Sequence, residues 1–241
     1  MEENIEKNID NKKKIIPIVV LVLAVLAVGS YFVFGKNKTE SPINNNVGSV
    51  ATVNGAIISR ETYDTQLASS IASYKTQGVD VADATKLSQI KTQVLDNLIS
   101  DELLKQGVAA AGIKITAEEV EKQFQVVLTE QGGADKLQAA LIQNNLTEGQ
   151  LRENISKQLA IQAYLLQNID IASVTVSDAE IAQFYADYSK SQKAADAKAV
   201  VPALKDLSAK IKQQLISDKQ QNLMTNFVAS LRAKATVETT L

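Results

Sequence analysis

A few groups of residues in this sequence have types that could carry chemistry. Residues 107–112 (GVAAAG), followed by Ile113 and Lys114, have the outline of a phosphate-cradling loop. Such a loop needs Lys directly after its second glycine, and it must lead from a strand into a helix N-terminus. Here Ile113 holds that position and the segment closes a helix, so the spacing predicts helix termination and no nucleotide site. The acidic pairs Asp101-Glu102 and Glu118-Glu119 could be proposed as acid/base or metal carboxylates. Adjacent helical residues point about 100° apart, so neither pair converges on one reacting atom. Glu118 and Glu119 fall in a helical first turn, where carboxylates offset the helix dipole. Ser and Lys are plentiful, but no signature of a Ser-Lys hydrolase is present. The chain has no His and no Cys. That excludes a Cys/His zinc site, a disulfide framework, a thiol nucleophile and an imidazole base. No catalytic residue, metal or cofactor is expected.

The elements that position these residues are mostly helical. Of 241 residues 45% are apolar and 22% charged, ordinary for a chain that buries a core. Lys plus Arg number 25 against 27 Asp plus Glu, a net charge of −2, so there is no basic excess to hold a nucleic-acid backbone. Ten Gly and three Pro are few breakers, and Ala, Gln, Leu and Lys favour helix. Helices are predicted from Ser59 to about Gln77, Ala84 to Ala111, 117–131, 134–144, 148–168, 178–190 and 201–233, the last with Pro202 in its first turn. Thr116–Glu119, Thr147–Gln150 and Ser177–Glu180 are three capping boxes, each a Ser/Thr cap followed three positions later by an acid or amide. Two β-prone runs flank Asn54-Gly55, the pair that best tolerates a type I′ hairpin turn. The end, from Ala235 to Leu241, is also β-prone, and an isolated hairpin is marginal in water. A small antiparallel sheet joining the two ends of the domain is the predicted completion.

Ahead of this domain, residues Ile15 to Phe34 run twenty positions without a charge. A helix of that length spans roughly 30 Å, the thickness of a bilayer's hydrocarbon core. Lys12, Lys13 and Lys14 precede it, with only Lys36 and Lys38 after it, which places the N-terminus in the cytoplasm. The expected organisation is a cytoplasmic tail (1–14), a transmembrane signal anchor (15–35), a polar linker (36–49) and a helical domain (50–241) outside the cytoplasmic membrane. Ala27-Val28-Gly29 is also a small-x-small triplet, compatible with cleavage before Ser30.

Several stretches bear a family likeness. Val53-Asn54-Gly55-Ala56-Ile57-Ile58-Ser59 with Tyr63 resembles the opening of the SurA/PrsA family of extracytoplasmic foldases and chaperones. Leu95–Ile99 with Leu103 and Leu104, then Ala111–Ile113 and Ile115–Val120, is similar to that family's central helix and the turn after it. Val176–Ile181 with Phe184 and Tyr185 resembles the segment that leads into the isomerase domain, and Ile211, Leu215, Lys219, Phe227, Leu231 and Ala235–Val237 resemble the returning helix and strand. The resemblance implies a mainly helical chaperone module of the SurA N-terminal type, with a small antiparallel sheet joining its ends. In that family a parvulin-type prolyl isomerase domain is commonly inserted between the last two pieces. Here only Asp187 to Val201 separates them, and the histidines expected of a parvulin are absent. The resemblance therefore implies a chaperone module without isomerase activity.

The expected function is that of an ATP-independent chaperone, holding unfolded or newly exported polypeptides against an apolar cleft. Burial of apolar area is non-directional, so such a surface binds many sequences weakly. Phe124, Val127, Leu128, Leu137, Leu141 and Ile142, on the middle helices, are the candidate client-facing residues. The alternatives are an envelope scaffold that binds one folded partner, or a relic peptidyl-prolyl isomerase. Neither nucleic acid nor nucleotide is expected as a partner, and the membrane is engaged only through the N-terminal helix.

Overall fold

Residues 48–144, 146–196 and 200–240 are described by a computed structural model. The expected cytoplasmic tail, membrane anchor and all but the end of the linker lie outside them. Among the described residues no helix is long and apolar enough to cross a membrane.

The Asn54-Gly55 turn forms where the sequence places it. Both residues have positive φ, 51° and 85°, and they join strand β1 (Ser49–Val53) to β2 (Ala56–Ser59). A register irregularity between Ser49 and Ala51 interrupts the strand alternation, and Val50, Ala51 and Val53 are all fully buried. The other edge of β1 is taken by β3 (Val237–Thr239), antiparallel, giving the order β2-β1-β3. Asn54 fastens this closure. Its backbone N–H donates to the Thr236 carbonyl at 2.8 Å, its Oδ1 accepts from the Thr236 N–H at 2.9 Å, and its Nδ2 donates to Gln106 Oε1 at 2.8 Å. Gln106 in turn donates to the Val53 carbonyl.

Seven helices follow the hairpin among the described residues: α1 (Arg60–Thr76), α2 (Ala84–Ala110), α3 (Ala117–Glu130), α4 (Ala134–Gln143), α5 (Glu148–Asn168), α6 (Asp178–Ala195) and α7 (Leu204–Lys234). All three capping boxes are made, with Thr116, Thr147 and Ser177 each accepting from the N–H three residues on while the acid or amide there accepts from the cap's own N–H. Two boundaries differ from expectation. Helix α6 continues to Ala195, since Ser, Lys, Gln and Ala offer no stop signal. Pro202 lies ahead of α7 instead of in its first turn, and its carbonyl accepts from the Tyr185 hydroxyl at 2.9 Å.

The described chain divides into two compact units, one from Leu166 to Ala229 and the other made of the described residues on either side of it. In the flanking unit the core joins Val50, Ala51, Val53 and Ile58 of the hairpin to Tyr63 of α1 and to Ile90, Val94, Leu98, Ile99 and Leu103 of α2. Leu231, Ala235 and Val237 pack against it from the chain's far end. The Leu166–Ala229 unit has its own core of Val176, Ile181 and Ile211, with Phe184, Leu207 and Leu215 half-buried around it. There the Lys219 ammonium lies 2.5 Å from Glu180 Oε1 and donates to the Thr175 carbonyl at 2.8 Å. That ammonium, with the Ser177 cap bonds behind it, holds the Glu180 carboxyl down at about 2.

The glycine run at 107–112 has two separate causes, where the sequence suggested one. Gly112 closes α2, with the Ile113 N–H reaching back to the Val108 carbonyl. Gly107 sits inside α2, and a Cβ added there would lie 2.5 Å from Cε1 and 2.6 Å from the hydroxyl of Tyr164 on α5. Its missing side chain is what lets the buried Tyr164 ring approach the α2 backbone. Gly107→Ala gains about 1 kcal/mol of helix propensity but incurs an overpacking cost of about 1–3 kcal/mol. Urea unfolding should show the single variant less stable by about 1 kcal/mol, and the same substitution stabilising in a Tyr164→Leu background. A gain in stability from Gly107→Ala alone would contradict this packing.

Candidate functional site

The three middle helices build a small lobe of their own. Phe124 of α3, Leu137 and Leu141 of α4 and Ile155 of α5 form a buried cluster, and Val127, Leu128 and Leu159 pack half-buried against it. Helical phase accounts for the membership. Phe124, Val127 and Leu128 share one face at i, i+3 and i+4, as do Leu137 and Leu141 at i and i+4. Ile142 is one step further round α4 and is 66% exposed. The structure thus brings five of the six expected residues together as lobe core and puts Ile142 on the surface. Val126, absent from the expected set, is 39% exposed on α3. Its signal is legible in hindsight as an apolar residue out of phase with the Phe124 stripe.

A polar strap crosses the lobe. The Arg152 guanidinium lies 3.8 Å from the centre of the Phe124 ring. Its Nη1 is 2.6 Å from Glu121 Oε2 on α3, and its Nε is 2.8 Å from Glu148 Oε1 one turn earlier on α5. Gln125 and then Arg152, donating to Glu121, hold that carboxyl below the usual range. At such exposure each ion pair contributes little, and the contact of the cation with the ring face adds to it. The Glu148–Arg152 spacing is readable as an i,i+4 pair. The partners on α3 are not.

The acidic pairs behave as separate groups. Glu102 accepts from Lys105 at 3.0 Å and from Gln106 at 2.9 Å. Asp101 is half-buried, and burial pushes its carboxyl up to about 7. Glu119 serves its capping box, and the Thr116 bonds hold it low. Among the described residues no group of three or more acidic side chains is placed to hold a metal ion.

Residues 3–165 match the family described as the SurA-like N-terminal domain. The foldase protein PrsA from two strains of Clostridium perfringens is 33% identical over 190 residues, covering 75% of this chain and 53% of each relative. The chain therefore spans about half the length of the curated relatives it matches. A solved structure from Campylobacter jejuni, from work on the virulence factor PEB4 and the periplasmic protein Cj1289 as structurally related SurA-like chaperones, superposes with a TM-score of 0.53. It covers 80% of this chain and 99% of that one at 13% identity, a likeness of fold.

The lobe makes a stability contrast between two adjacent residues. Leu141→Ala should lower the unfolding free energy by about 2–5 kcal/mol, while Ile142→Ser should change it by under about 0.5 kcal/mol. Denaturant unfolding followed by circular dichroism reads both, and equal losses would contradict the assignment of core and surface.

Proposed function

The chain belongs to the SurA-like N-terminal domain family, and on that premise we propose that it is an ATP-independent chaperone for unfolded or newly exported polypeptides. The site is the outer side of the α3–α4–α5 lobe. The observation that carries the proposal is Ile142, two-thirds exposed directly beside the buried Leu141, with Val126 also exposed on the neighbouring α3. Apolar surface of this kind gains free energy from covering any apolar segment, with little demand on sequence. The half-buried Val127 and Leu128 extend it if the lobe loosens, since the cluster that the three helices share has four buried members and so small a core has little holding it shut. Phe124, Leu137 and Leu141 would then enter the contact as well.

The likeness to foldase protein PrsA supports this reading, as does the uncharged run from Ile15 to Phe34 behind its lysine triplet. That run would tether the domain to the cytoplasmic membrane, with the N-terminus inside and the lobe outside. We read the chain as a holder of clients and not as a prolyl isomerase. Helix α6 ends at Ala195 and α7 begins at Leu204, so eight residues stand where an inserted isomerase domain would be, and the sequence has no histidine.

Binding the unfolded state lowers its free concentration and slows aggregation, with no fuel consumed. Residues 36–241 at a fewfold molar excess should suppress light scattering from a chemically denatured test protein without added ATP. Ile142→Ser should weaken that suppression while leaving the fold intact. Absence of suppression by the unaltered domain would overturn the proposal.

A further inference from the structure

We infer that Asn54 is a site of spontaneous deamidation that marks, irreversibly, a chain whose β1–β3 closure has opened. Asn54-Gly55 is the one Asn-Gly pair in the 241 residues. A glycine after asparagine leaves the following backbone nitrogen unshielded by a Cβ. Both residues are exposed, and a Cβ added at Gly55 would meet nothing within 4 Å, so water and hydroxide reach the turn. Hydroxide takes the Gly55 N–H proton, and the nitrogen attacks Cγ of Asn54. The N–Cγ bond forms, the Cγ–Nδ2 bond breaks, and Nδ2 leaves as ammonia with a proton from water. Water then opens the succinimide ring at either carbonyl, giving aspartate or isoaspartate.

The native closure opposes the first step. Oδ1 is held by the Thr236 N–H at 2.9 Å and Nδ2 by Gln106 Oε1 at 2.8 Å, so the amide cannot swing its carbon onto the Gly55 nitrogen without giving up both bonds. Release of β3 and of Gln106 frees it. The product then opposes reclosure. Gln106 cannot turn round to offer a donor, because its Nε2 is committed to the Val53 carbonyl at 3.0 Å and to Glu102 Oε1 at 2.9 Å. An aspartate oxygen in place of Nδ2 therefore faces the Gln106 oxygen, acceptor against acceptor, within a connected network. Isoaspartate adds a backbone carbon to a turn whose two-residue length sets the Val53–Ala56 pairing.

The full chain in detergent, kept in warm, mildly alkaline buffer, tests this by mass spectrometry of the peptide containing Asn54. Conversion should run at least about tenfold slower in the folded chain than in concentrated urea, since only the open turn reacts. Gln106→Ala, which frees Nδ2, should quicken it about fivefold in the folded chain, the factor for one hydrogen bond. Hydrogen exchange reads the effect of the product. Asn54→Asp should speed exchange of the β1 and β3 amides about tenfold. Adding Gln106→Lys, whose ammonium can serve the aspartate and the Val53 carbonyl together, should restore protection. Equal conversion in folded and unfolded chain would overturn the inference. So would native protection in the Asn54→Asp chain, or no restoration by Gln106→Lys.

Discussion

Strand β1 has two hydrogen-bonding edges, and one of them can be satisfied only by residues that come at the end of the domain. The hairpin covers the first edge locally, through Asn54-Gly55. The second waits for Val237–Thr239, which arrive some 185 positions later, after every helix has been made. Long-range closure of this kind carries a loop-entropy cost that grows only slowly with length. What offsets it is the fully buried Val50, Ala51 and Val53 in the same strand, and the Asn54 side chain that bonds to both the returning strand and α2. The hairpin, α1 and α2 then have a fixed base.

The lobe of α3 to α5 is a different kind of object. Its core is four buried side chains, and a cation over an aromatic ring supplies part of its closure. A small apolar core limits how much stability a region can have apart from its neighbours. For the proposed binding of unfolded chains that is an advantage. On that proposal a thinly held lobe exposes more of its Val127–Leu128 face when a client offers compensating apolar area, and recovers when the client leaves.

How much of this was legible in the sequence follows from the range of the forces involved. Capping boxes at Thr116, Thr147 and Ser177 are contacts three residues apart, and the Asn-Gly turn is a two-residue preference, so both were readable. The return of β3 was readable because a lone hairpin cannot stand and the chain's end is β-prone. Contacts between distant elements were not. Nothing near Gly107 names Tyr164 as the ring that needs its space, and nothing near Phe124 names Arg152 as its cover. Nor did composition separate Leu141 from Ile142. Both are aliphatic, and only the phase of α4 against α3 and α5 decides which is core and which is surface.

Hydrogen–deuterium exchange on the full chain, with and without a saturating unfolded client, reads directly where the client is held. Slower exchange confined mainly to the amides of residues 117–143 is the expected result. Unchanged exchange there, with protection gained only around the β1–β3 sheet or along α6, would contradict the placement of clients on the lobe.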